Sequence, residues 1–559
     1  MHDRSNAPLR RAAGLLAACA IGLCAAPAAQ ASSYQFTAKL YTESLGRAPD
    51  GAGWNNYLSY FTTHGCNQAS LAALANSFYV SAEYSGLGYA HSEQVLTAYR
   101  GVLSREPRAD EIASGTQALD SGEPLGTFIN ALTSSGEFAG MVSTICQPGG
   151  YAWGSNKAVG LPLAGAVESV SALRARLSAA GTTAAKDPQH KRIVVALAPH
   201  AIYEVSDGPI VVPTYVTLAT QDSGGNQPLH THYASMARIV RTAMFNAGNG
   251  DEGTTALVML RGGASLRSVW VSGQRSFLAG HPFNRGSTNV FALSGNGTSI
   301  AQVRSDTSAG FSNLHTFGSY EDPGQVACTS ETISGTLITA YSANHYNSGE
   351  DHTDGITFSC DHAVISGNQI VDVSDVGIVA FPAATSVPRV QNSLVHDNIV
   401  VSAGLPAYAA YGIDQRAAQN ASFAGLSFDN NQFFAAPDSH FDIGLALGSF
   451  AWGPLKNQTI AGETTGIGAS MTNNTTAGVS TPLQWGIVVD GMVNATVQGN
   501  AILRIPTSHP YNQHNYLGEP ACPAGGNIFA HETGVSPTHG SGNLQQPVID
   551  HSLDTCIVP

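Results

Sequence analysis

The segment HYNSGEDHTDGITFSCDHAVISGNQIVDVSD, residues 345 to 375, gathers Glu350, Asp351, Asp354, Asp372 and Asp375 beside His345, His352 and His362. Paired carboxyl groups support two kinds of chemistry. One held protonated and one ionised, about 6.5–9.5 Å apart, can protonate a leaving oxygen and activate a water. Several ionised together offer hard oxygen ligands to calcium. Asp354, Asp375 and His352 are the candidate catalytic groups, and Asp351 and Asp372 the candidate calcium ligands. Asp414, Arg389 and Arg416 lie in the next loops along the chain and are candidate substrate-binding groups. The competing reading makes all of these solvated turn residues.

The surrounding chain narrows the setting. At 559 residues it is long enough for more than one unit. Residues 1–31 read as a signal peptide: Arg4, Arg10 and Arg11, an apolar run from Ala12 to Ala26, then Ala29-Gln30-Ala31. Removing that leader from 25 basic and 39 acidic residues leaves 22 and 38, a net charge of −16. Such a surface disfavours nucleic acid and polyanionic partners. No later stretch approaches the roughly 20 apolar residues of a membrane span. Six cysteines stay in the mature chain, and neighbours pair as Cys66–Cys146, Cys328–Cys360 and Cys522–Cys556 in the expected disulfide set.

Residues 32–147 contain a tandem. LYTESLGRAPDGAGW at 40 to 54 matches AYRGVLSREPRADEI at 98 to 112, and the tags FYVSAEY and LTSSGEF come after them. Apolar residues recur at three and four, so the unit is helical. LGRAPDGAG and SAEY resemble a bacterial phycobilisome-linker-like domain of unknown function, which implies an attachment or interaction module. Arg47, Asp50 and Arg105 read as cap and intradomain ion-pair residues. Residues 148–190 form a linker, with a helix from Ala166 to Gly181 placed to cover the open edge of the strands that begin near residue 191.

From 191 to 505 short β-branched runs alternate with turn residues, without crossover helices. Gly-aliphatic pairs recur at Gly355-Ile356, Gly377-Ile378, Gly412-Ile413, Gly444-Leu445 and Gly486-Ile487, and turn asparagines at Asn368, Asn398, Asn431 and Asn500. The expected fold class is therefore mainly β, a parallel β-helix with a small N-terminal all-α domain. Residues 506–559 are expected to form a loop-rich cap. The pattern resembles the right-handed pectate-lyase-like superfamily, whose inward aliphatics stack and whose turn asparagines can form ladders.

HTDGITF and then VSDVGI are similar to the polygalacturonase-type glycoside hydrolases, whose pattern is N-T-D-G and then D-D-x-I. The resemblance implies Asp375 as general acid and Asp354 as a water-orienting carboxylate. His352 replaces the family's Asn and Val376 its third Asp. Lyases of this fold imply calcium and an Arg or Lys base, for which Arg389 and Arg416 are the nearby choices. Strand parity from Ile356 and Phe358 aims Asp354 inward unless a turn begins there, and sets Asp375 on the other face. Tyr408, Tyr411, Trp452 and Trp485 could stack on sugar rings, and His230 and His232 could bind metal. The expected function is an exported hydrolase or lyase of an extracellular polysaccharide or cell-surface glycan. The alternative is a non-catalytic adhesion or glycan-binding protein.

Overall fold

The computed structural model describes residues 33–506 apart from 147–160, 162–167, 222–231, 246–254, 276–277, 279, 281, 285, 294–296, 318–327, 340–351, 383–387, 415–420, 449–465, 491 and 494, together with 528–531 and 555–557. The expected leader, Cys522 and Trp452 lie outside the described residues. Helices fill 33–145, and strands begin at Ile193. The strands build three parallel sheets in which each strand pairs with its counterpart one coil earlier and one coil later. That is a parallel β-helix. Its third sheet runs beyond residue 505, through Arg504–Pro506 and Ile528–His531, and an antiparallel strand at Thr555–Ile557 closes it.

Inward side chains make one continuous core, from Val195 and Leu218 through Ile300, Ile333, Ile365 and Val395 to Met471 and Val497. The asparagine ladder runs along one turn. Asn368, Asn398, Asn431 and Asn474 each donate through Nδ2 to Oδ1 of the next, ending at Asn500, at 2.9 or 3.0 Å, and to a backbone carbonyl one coil back. Asn474 was not among the expected members. The left-handed backbone lies not at the ladder asparagines but one residue earlier, at Gly367, Asp397, Asn430, Asn473 and Gly499. The ladder residue itself is chosen for its amide.

The helix Val170–Lys186 covers the first coil with Leu173, Leu177 and Ala184. It continues past Gly181, where an end was expected. A Cβ there would meet Pro213 at 2.5 Å, so the glycine serves close helix-to-sheet approach. Cys66–Cys146 and Cys328–Cys360 are disulfides.

The tandem is the helical unit's internal logic. Arg47 lies over the Tyr41 ring at 4.9 Å and bonds Glu83 of the first tag. Arg105 lies over Tyr99 at 4.9 Å and bonds Glu137 of the second. Ser81 and Ser135 cap the helices that carry those glutamates.

The unit lies along the second sheet. Arg238, Trp270 and Arg304 form one outward row in three successive coils. Glu43 accepts from Arg304 at 2.5 Å, from Arg100 at 2.7 Å and from the Tyr233 hydroxyl at 2.8 Å. Glu106 bonds Arg238 at 2.8 Å and also Arg100, while Arg100 reaches Asp306 at 3.3 Å. Three arginines and three carboxylates thus neutralise one another, all buried. Burial alone would raise the Glu43 carboxyl, but Arg100 and Arg304 hold it at about 2. Further along, the face turns apolar, and Trp54, Ala38 and Ala48 pack on Val371, Val401 and Phe434.

Arg304→Leu leaves Glu43 without one of its guanidinium partners and should cost about 3–5 kcal/mol in denaturant titration. Glu331 is fully buried, and burial, opposed by the Thr316 hydroxyl, pushes its carboxyl up to about 8. The folded state then holds the proton that the unfolded chain releases near pH 4.5. Stability should therefore fall as pH rises from there to about 8, and Glu331→Gln should flatten that fall in a melting-temperature series.

Candidate active site

The site is set by an interruption in the third sheet's alternation. In Asp354–Phe358 both Gly355 and Ile356 face the interior: a Cβ on Gly355 would meet Ile370 at 3.0 Å, and Ile356 belongs to the core. Gly377 and Gly444 repeat this against Val400 and Phe433. Ala410 holds the equivalent place in its coil, because Tyr411 pairs with Ile378. Gly412 is thus two residues out of the expected row.

Two inward positions in succession turn the preceding residue outward. The row Ser312, Asp354, Val376, Ala409, Ile443, Trp485 runs across the coils. Val376, Val379, Tyr408, Ile443 and Trp485 form an apolar cluster separate from the core. The parity expectation for Asp354 fails for this reason: it faces out, on the same side as Thr357.

Asp354 is buried. Its Oδ1 accepts from the Val376 amide at 3.0 Å, and its Oδ2 from the Thr357 hydroxyl at 2.7 Å. Thr357 in turn lies 2.5 Å from the Ser312 hydroxyl. Burial raises the Asp354 carboxyl well above the usual range, and the charges of Asp375 and, less, Asp414 push the same way. Asp375 sits one coil on and one residue earlier. Its carbonyl accepts from Tyr408 and Ala409, and its amide donates to the Thr353 carbonyl. It is only half-buried. Adjacent coils are about 4.8 Å apart, and the charge of Asp375 acts on the Asp354 carboxyl across that step.

The remaining expected residues part company. His352 is half-buried two residues before Asp354. Asp414 is buried at the end of Ala407–Ile413. Arg389 is paired with Asp361 at 2.6 Å, at the corner leading from the third sheet to the first. Asp372 does not join the cluster: its Oδ1 accepts from the amides of Ala403, Gly404 and Leu405, and its Oδ2 from Gln35. Those donors occupy the oxygens that calcium would need. Asp351, Glu350, His345, Arg416 and His230 lie outside the described residues. Among the described residues no group of three or more His, Cys, Asp or Glu side chains could hold a metal ion. His232 lies 2.7 Å from Ser235 Oγ and 3.8 Å from Glu93. Tyr411 points into the core, with its hydroxyl on Asn398 and Gln432 carbonyls.

Thr357 and Ser312 were missed. Their signal is the Asp-Gly-Ile-Thr spacing, which brings positions 354 and 357 to one face only once Gly355 is recognised as inward. The raised Asp354 carboxyl has a consequence for stability. Folding favours its protonated form, so its contribution is fully present below the unfolded value and is lost as pH rises above about 4. Asp354→Asn should therefore raise the melting temperature at pH 7 relative to pH 4.

No protein-family profile matches the chain, and no curated protein matches it. Solved structures do. The endo-xylogalacturonan hydrolase of Aspergillus tubingensis is 11% identical over 68% of this chain and 99% of its own, with a TM-score of 0.40. An exopolygalacturonase of Thermotoga maritima is 11% identical, covering 59% and 84%, at 0.34. An alginate lyase of Paenibacillus sp. str. FPU-7 is 12% identical, covering 58% and 93%, at 0.33. The chain's own strand pairing makes it a parallel β-helix preceded by a helical region.

Proposed function

We propose that the protein is an exported glycoside hydrolase acting on an extracellular polysaccharide. The observation that carries this is that Asp354 and Asp375, on adjacent coils, interact electrostatically, with a proton favoured on Asp354. In this reading the roles first expected are exchanged. Asp354, buried and raised, delivers its proton to the glycosidic oxygen. Asp375, more exposed, takes a proton from the water that attacks the anomeric carbon. Ser312 and Thr357 orient the Asp354 carboxyl. The leader-like first residues and the two disulfides support export. Of the two basic groups that elimination would draw on, Arg389 is held by Asp361, and Arg416 lies outside the described residues. Among the described helices none is long and apolar enough to cross a membrane.

A second reading, glycan binding without turnover, is favoured by Val376, whose aliphatic side chain stands where the resembled family carries a third carboxylate. A panel of neutral and acidic polysaccharides, assayed for new reducing ends and for unsaturated products, separates the two. The hydrolase reading expects new reducing ends without unsaturation, and Asp375→Asn should lower the rate about 10²–10⁴-fold. Asp354→Asn should be equally poor on the polysaccharide but recover on an aryl glycoside whose leaving group needs no proton. Binding without product establishes the second reading, and a variant Asp375→Asn with wild-type rate removes the first.

A further inference from the structure

We infer that the helical unit is a positioning element of the carboxyl pair, acting through Gln35 and Asp372; this rests on the hydrolase reading for its catalytic consequence. Gln35, in the first helix, donates its Nε2 to Asp372 Oδ2 at 3.0 Å across 337 residues of chain. Both side chains are buried. The other Asp372 oxygen gathers three consecutive amides, Ala403 at 2.6 Å, Gly404 at 2.9 Å and Leu405 at 3.2 Å. One carboxylate therefore ties the helical unit to two segments at once.

Both segments lead to the site. Asp372 is itself in the left-handed conformation, at φ 60°, and opens the turn that runs through Ser374 to Asp375. In that turn Ser374 Oγ accepts from the Thr353 amide at 2.9 Å, immediately before Asp354. The Ala403–Leu405 segment runs into Ala407–Ile413, where the Tyr408 and Ala409 amides hold the Asp375 carbonyl at 2.9 and 3.2 Å. The turn bearing Asp375 is thus fixed from two sides, and Asp372 is common to both. Gly404 is required by the same contact, since a Cβ there would meet the Gln35 side chain at 2.6 Å.

The charge balance gives Gln35 more than a packing role. Burial raises the Asp372 carboxyl, and Gln35 is the first of the donors that lower it again. Withdrawing that amide leaves one oxygen of a buried carboxylate poorly solvated. The turn then relaxes, and Asp375 shifts relative to Asp354. Neither Gln35 nor Asp372 handles the attacking water or the glycan in this mechanism, so both are positioning residues.

The test compares Gln35→Ala, Gln35→Glu and Asn55→Ala in the full chain. Asn55 makes another bond from the helical unit to the β-helix, to the Gly478 carbonyl at 3.2 Å, three coils beyond the turn. On the glycan that the panel identifies, Gln35→Ala should lower kcat about tenfold or more with KM unchanged. Gln35→Glu should be impaired at neutral pH and recover relative to wild type as pH falls, when its carboxyl regains a proton to donate. Amide hydrogen exchange at Val376, Ala403, Gly404, Leu405 and Tyr408 should rise in Gln35→Ala and stay at wild-type values in Asn55→Ala. Unchanged exchange in Gln35→Ala, or the same change in Asn55→Ala, overturns the inference. Should no glycan be cleaved by the wild type, the hydrolase reading falls, and the exchange comparison alone decides the coupling.

Discussion

Parallel pairing between successive coils is the constraint on which the rest depends. A residue's place in its coil fixes which residues lie above and below it, so each position becomes a row. The inward row that runs through Asn313, Gly355, Gly377, Ala410 and Gly444 shows how strict this is. Asn313 donates to the Asp354 carbonyl at 3.1 Å and accepts from Ser305 at 3.2 Å, a polar solution to the same crowded spot that glycine solves by having no side chain. One interior row therefore decides where the outward carboxyl groups stand.

The helical unit is bound to this scaffold by chemistry that changes along its length. Toward the first coils the contact is ionic, with Glu43, Glu106 and Asp306 set against Arg100, Arg238 and Arg304, and with Arg238 only 3.5 Å from the centre of the Trp270 ring. Toward the later coils it is apolar. Buried ion clusters give little net stability compared with apolar packing, but they penalise misplacement heavily. The ionic end can thus set the register of the unit on the sheet while the apolar end contributes the area.

Much of this was legible in the sequence, and the failures have physical causes. The coil repeat, the covering helix, the ladder asparagines and the two observed disulfides left signals in spacing and residue type. Asn474 escaped because it sits in TNNTT, where either asparagine fits the turn. The direction of Asp354 could not be read from alternation, because glycine carries no side chain to reveal that two successive positions face inward. Asp372 looked like a metal ligand because its partners, Gln35 and three amides, are distant in sequence or belong to the backbone. Glu43, Arg100 and Glu106 gave no warning either. Each sits in a motif explicable within the helical tandem, and only the arginines of the second sheet disclose their purpose.

The contacts between the helical unit and the β-helix include pairs separated by 132 positions, Glu106 and Arg238, and by 423, Asn55 and Gly478. Ring closures of that size are slow, and they come last. The piece synthesised first must wait, its acidic groups hydrated and its Trp54 uncovered, until several coils have wound. During that interval the growing sheet shows an unclad wall of backbone and arginine to whatever is nearby. Completion of the winding is thereby announced by a single event, the disappearance of that wall beneath the waiting helices.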